Sequence, residues 1–177
     1  MLDSLKNLLR RRSIRRALSA DATSLMPLAK VKTAVAFIDV EDTSFNECKN
    51  ALMAFYREKG IKGEIFFFDF RRLTEGERLI TSITNTILKK DLNWIGKPSK
   101  EKVSLMLEGE PDMFISLLPN SDFPINYMAA ASRARFKVGR VELPGKILDL
   151  VVQDPAGQLI PEADAFREMT RILERIQ

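Results

Sequence analysis

Thr33-Ala34-Val35-Ala36-Phe37-Ile38-Asp39 is a short apolar run closed by charge at both ends, with Lys32 before it and Glu41-Asp42 after it. Apolar residues in unbroken succession describe a strand covered on both faces, as in a parallel sheet. Next, Ser44 and Glu47 have the spacing of a capping box. Phe45, Cys48, Leu52, Phe55 and Tyr56 follow at helical intervals, up to Gly60, which suits the left-handed position after a last turn. Glu64-Ile65-Phe66-Phe67-Phe68-Asp69-Phe70 is a second buried strand. Strand, helix and strand in this order make a crossover unit, which is right-handed in nearly all proteins.

The same alternation extends outward from this unit. In residues 71–90 the signals compete: Ile80, Ile83 and Ile87 fit a helix, the density of threonine favours a strand, and both alternatives stay open. Residues 91–99 read as a loop broken by Gly96 and Pro98. Ser99 then caps a helix carrying Val103, Met106 and Leu107 and ended by Gly109. Asp112 to Leu118 is a third buried strand. Asp122 caps a helix with Pro124 near its first turn, running through Ile125, Tyr127, Met128 and the alanines 129–131. Phe136 to Gly139 and Ile147 to Val152 read as further strands. Pro161 and Glu162 open a last helix with Phe166, Met169, Ile172, Leu173 and Ile176 on one side. The pattern predicts an α/β fold, a Rossmann-like three-layer sandwich with a mostly parallel sheet and helices on both faces. Residues 31–177 form that domain, and residues 1–30 are a basic helical arm and linker. No internal repeat is present.

Charge is distributed unevenly. The 177 residues carry a net charge of +4. Residues 1–16 hold Lys6, Arg10, Arg11, Arg12, Arg15 and Arg16 against Asp3, a surplus of +5, which leaves the rest of the chain at −1. A neutral body argues against a domain that grips a nucleic-acid backbone over a broad face. The arm is a different matter, because its six cations can meet an anionic surface, either membrane or RNA. Leu2, Leu5 and Leu9 share one helical face, with Leu8 beside it, while Ile14, Ala17 and Leu18 rotate to the opposite side. The plainest reading is a helical arm packed on its own domain or on a partner subunit in a homo-oligomer, with solvated arginines. No apolar run approaches the ~18 residues of a membrane span, no secretory leader is recognisable, and a cytoplasmic protein is expected.

The chain has no histidine and one cysteine. That removes histidine acid–base chemistry, Ser-His-Asp triads, Cys-His dyads, zinc sites built on Cys or His, and internal disulfides. Cys48 reads as an inert core residue, and Trp94 as a staple of its loop onto the core. In a parallel sheet, ligands gather at the carboxyl ends of the strands. The candidates there are Asp39 and Glu41 after the first strand, Asp69 and Arg71 after the second, Asn120 and Ser121 after the third, and Arg140 after the fourth. Carboxylates of this kind could hold Mg²⁺ and arginines phosphate. For Arg140, a salt bridge to Glu142 or Asp149 is the structural alternative. No dinucleotide site is expected, because the turn Asp39-Val40-Glu41-Asp42-Thr43 is acidic and has no glycine. No cofactor is called for and no catalytic or metal-binding residue is assigned.

The same turn is similar to the Asp-x-Asp-x-Thr of haloacid-dehalogenase-type phosphatases, with Asp39 at the nucleophile position and Glu41 in place of the acid–base Asp. No later metal-binding motif accompanies it, and the turn reads as a helix cap. Residues 111–118, followed by Ala130-Ala131-Ser132-Arg133-Ala134 and Phe136-Lys137-Val138-Gly139-Arg140, resemble the acceptor half of heptosyltransferases. A broader resemblance rests on the basic start, residues 91–98, Phe114-Ile115-Ser116, residues 134–139 and Leu148-Asp149-Leu150. Together these look like an uncharacterised Bacteroidetes family, which implies a cytoplasmic Rossmann-like protein without an assigned activity. Two functions follow from the sequence. The first is a non-enzymatic protein that uses its arm for self-association or surface attachment. The alternative is a binder or enzyme for a phosphorylated or sugar-like ligand at the strand ends.

Overall fold

Side chains of the first strand alternate between two cores: Ala34, Ala36 and Ile38 enter one, Val35 and Phe37 the other. A strand with two apolar faces must lie between two layers. The computed structural model, which describes residues 2–18, 22–72 and 80–177, has that arrangement. Its strands are β1 (Thr33–Asp39), β2 (Lys62–Asp69), β3 (Thr86–Leu88), β4 (Met113–Ser116), β5 (Phe136–Gly139) and β6 (Leu150–Val151). Every pairing among them is parallel, and the order across the sheet is β3-β2-β1-β4-β5-β6. The order reverses between β1 and β4, the topological switch point of a doubly wound sheet.

The helices are α1 (Leu2–Ala17), α2 (Phe45–Lys59), α3 (Lys100–Leu107), α4 (Phe123–Ala131) and α5 (Glu162–Leu173). On one face α2 packs against α5, with Leu52, Phe55, Phe166 and Met169 over Ile38, Ile115 and Val138. On the other, α4 lies between α3 and α1, and Tyr127, Met128 and Ala130 cover Phe37, Phe66 and Phe114. Phe37 has the rings of Phe66, Phe68 and Phe114 at 5.5, 5.8 and 5.3 Å. Each such buried aromatic contributes about 1.5–3 kcal/mol by leaving water. At the start of β2, a Cβ on Gly63 would run into the Tyr56 ring, so the approach of α2 depends on glycine there.

Several local expectations change. Among the described residues of 71–90, the helical alternative does not form: Thr86–Leu88 pairs with β2 as an edge strand. Residues 73–79 lie outside the described residues, as do 19–21 of the expected linker. The strand expected over 147–152 is reduced to Leu150–Val151, because Leu148 turns back onto Gly139 and the Asp149 carboxylate accepts from the Lys137 amide at 2.8 Å. Ser44 and Glu47 make no capping box: Ser44 Oγ donates to Asp42 and Glu47 pairs with Arg167. Trp94 is 59% exposed, and its neighbour Ile95 is the residue that enters the core. Ile172, expected on the inner side of α5, is exposed. Gly60 does take the left-handed conformation, with φ 65°, and Ser99 Oγ accepts from Lys102 N at 3.3 Å as a cap.

Candidate functional site

The carboxyl end of β1 is closed by the chain itself. Asp39 N donates to both carboxyl oxygens of Glu162 at 3.1 Å. Glu162 N in turn lies 3.3 Å from both oxygens of Asp42, and Ala163 N donates to Ser44 Oγ at 2.9 Å. The turn after β1 therefore caps α5, and the first residue of α5 caps the turn. The Asp39 side chain accepts from Glu41 N at 2.9 Å, a local turn bond. Glu162 is fully buried. Burial, reinforced by the charges of Asp42 and Asp39, pushes its pKa up to about 9 against the pull of the Asp39 amide and Arg140. Asp39 is raised as well, first by burial. The switch-point crevice is thus filled by a neutral carboxyl and its partners. No group of three or more Cys, Asp or Glu among the described residues is arranged to hold a metal ion.

The other strand-end candidates are engaged locally. Asp69, buried at the end of β2, receives Arg71 Nε at 2.8 Å and Nη2 at 2.7 Å, a bidentate pair. That pairing holds the Asp69 carboxyl below its ordinary range. Arg140 is 2% exposed. Its Nε and Nη2 donate to Asp154 at 2.6 Å, and Nη2 also donates to Ile160 O. The partner is neither Glu142 nor Asp149: the Asp154-Pro155 turn folds back under β5 and brings its carboxylate to the guanidinium. Asp149 accepts from Thr23 Oγ1 at 2.7 Å and from the Lys137 amide. Asn120 Oδ1 accepts from Asp122 N at 3.0 Å and shapes the turn after β4.

Ser121 sits differently. It lines a cleft of about 660 Å³ between α1, the start of α4 and the Pro144-Gly145 turn. The arm reaches this place because Leu9, Ile14 and Ala17 pack into the second core. Arg10 fixes it there, with Nε donating to Ile95 O at 2.7 Å and the guanidinium 5.1 Å from the centre of the Phe123 ring. Arg10, Arg11 and Arg15 form the basic wall, and Ser121, Asp122, Phe123 and Asn126 form the wall opposite. Asp122 Oδ atoms do not cap α4, whose positive end faces the cleft. Asn126 Nδ2 donates to Ser121 O at 2.9 Å, while its Oδ1 is buried without a partner among the described residues. A buried acceptor in that state carries a desolvation cost until a donor reaches it.

Of the seven strand-end candidates, Ser121 alone is in this cleft, and three of the six basic arm residues join it. Asn126 and Phe123 were missed. A signal for Asn126 exists in the sequence, since it is the one amide side chain within Phe123–Ala131. A doubly wound parallel sheet with an N-terminal helix laid over its fourth strand-end loop defines an α/β protein whose open cleft is offset from the switch point. Residues 5–166 match the model for a family of unknown function (DUF6913), and the chain belongs to that family. No curated protein and no solved structure matches it.

Proposed function

We propose that this protein binds a small phosphorylated ligand, of the sugar-phosphate kind, in the cleft between α1 and the first turn of α4. The observation that carries this reading is the convergence of Arg10, Arg11 and Arg15 with Ser121 and the N-terminus of α4 on one cavity. Guanidinium groups recognise phosphate by charge and by N–H donors; at the start of α4 Pro124 has no N–H and the amides of Ile125 and Asn126 donate to Asp122 O, so the arginines carry the recognition. Among the described residues Asp122 is the single carboxylate on the cleft wall, and the cleft is read as a binding site on its cations. The setting is taken to be cytoplasmic, where a buried free thiol such as Cys48 stays reduced.

Thermal unfolding with inorganic phosphate, glucose 6-phosphate and glucose tests the reading. A ligand at 100 times its Kd stabilises by about 2.7 kcal/mol, a rise of roughly 5–10 °C for a chain of this size. Glucose 6-phosphate should raise the midpoint more than phosphate, and glucose should leave it in place. Arg11→Ala and Arg15→Ala should abolish the rise. A rise that survives both substitutions, or no response to any phosphate, would contradict the reading.

A further inference from the structure

We propose that the outward face of α1 docks on an anionic lipid bilayer. Leu2, Leu5 and Leu8 are 76%, 49% and 63% exposed, and their spacing of three puts them along one side of the helix. Arg12 and Arg16 continue that side through the last turns, both exposed. Of the residues that fasten the arm to the body, Arg10, Ile14 and Ala17 lie on the other side, while Leu9 shares the side of Leu2 and Leu5 and is partly buried against the second core. Docking of the arm onto its own domain therefore leaves three leucines and two arginines facing out together. The turn that supplies the carbonyl for Arg10 also carries Trp94, exposed beside it in sequence, a residue type that favours the boundary between water and lipid.

The chemistry selects the occupant. A bilayer takes both halves of the face: the acyl boundary accepts leucines, and headgroup phosphates accept guanidiniums. RNA would use the arginines and leave the leucines wet. A second copy would set two arms of charge +5 against each other within a Debye length, over a face of three leucines, far below the roughly 800 Å² per partner of a stable interface. Leucines near the start and arginines near the end of the helix point to shallow insertion led by the first turns. No helix among the described residues is long and apolar enough to cross a membrane, so the contact is at the surface.

The full chain is sedimented with vesicles of phosphatidylcholine alone and of phosphatidylcholine with roughly one-third phosphatidylglycerol. Binding is expected to the anionic vesicles and not to the neutral ones. Leu5→Ser with Leu8→Ser, and separately Arg12→Glu with Arg16→Glu, should each weaken it at least tenfold. These positions face outward, so both variants should unfold at the wild-type temperature and keep their response to glucose 6-phosphate, which separates this inference from the cleft reading. Equal binding to both vesicle types, no binding, or leucine variants that sediment like the wild type would overturn it. So would a dimer, or a complex with an RNA oligomer, that forms in preference to vesicle binding.

Discussion

Glu162 and Arg140 hold the ends of the sheet in opposite ways. Glu162 is a buried acid kept neutral by its surroundings, with a pKa near 9 where the unfolded chain has its ordinary 4.5. Between those values the folded state binds a proton that the unfolded state has released. Stability is thus full below about pH 4.5 and falls as pH rises, by up to about 1.4 kcal/mol per unit, until the folded pKa is reached. The chain has no histidine, so few other groups titrate in that window. Urea unfolding from about pH 5 to about pH 8 should show this decline, and Glu162→Gln should flatten it. Parallel slopes for the two proteins would contradict the assignment. Arg140 is buried and charged, and its bond pair to Asp154 satisfies it. Arg140→Leu leaves Asp154 without its cation and should cost about 3–5 kcal/mol in the same assay. A loss below about 1 kcal/mol would show that the pair is dispensable.

At the scale of elements, strands buried on both faces were the most legible part of the sequence. β1, β2 and β4 show as apolar runs because their apolar residues meet one core or the other in alternation. β3 and β6 are edge strands of three and two residues, too short to carry a period, and their pairing depends on neighbours far away in sequence. Caps were less legible than the helices they start. The hydroxyl of Ser44 and the carboxylate of Asp42 serve α5, more than a hundred residues on, and local spacing cannot announce that. The arm was readable as a helix and as basic, but not for its inward side, where Arg10 stands among apolar residues. Arg10 is its fastening, so Arg10→Ala should speed amide exchange along α1 while leaving β1 and β4 protected. Unchanged exchange in α1 would mean that the apolar contacts of Leu9, Ile14 and Ala17 suffice.

For the whole molecule, the separation of charge between arm and body has a structural outcome: the basic arm is folded over the carboxyl end of the sheet and becomes one wall of its open cleft. The candidate residues lie at the carboxyl end of the sheet, because strand order and direction determine where loops gather. Sequence reasoning could not tell which loops stay open. The β1 turn is blocked by Glu162, a residue 123 positions away, and the β4 turn is open and faces the arm. The most direct measurement is an amide and arginine side-chain NMR titration of the intact protein with glucose 6-phosphate. Saturable shifts are expected at Ser121 to Asn126 and at the Nε–H groups of Arg11 and Arg15, with residues 39–44 unmoved. Shifts centred on residues 39–44 and 162–163, or none at Ser121 and Asn126, would contradict it.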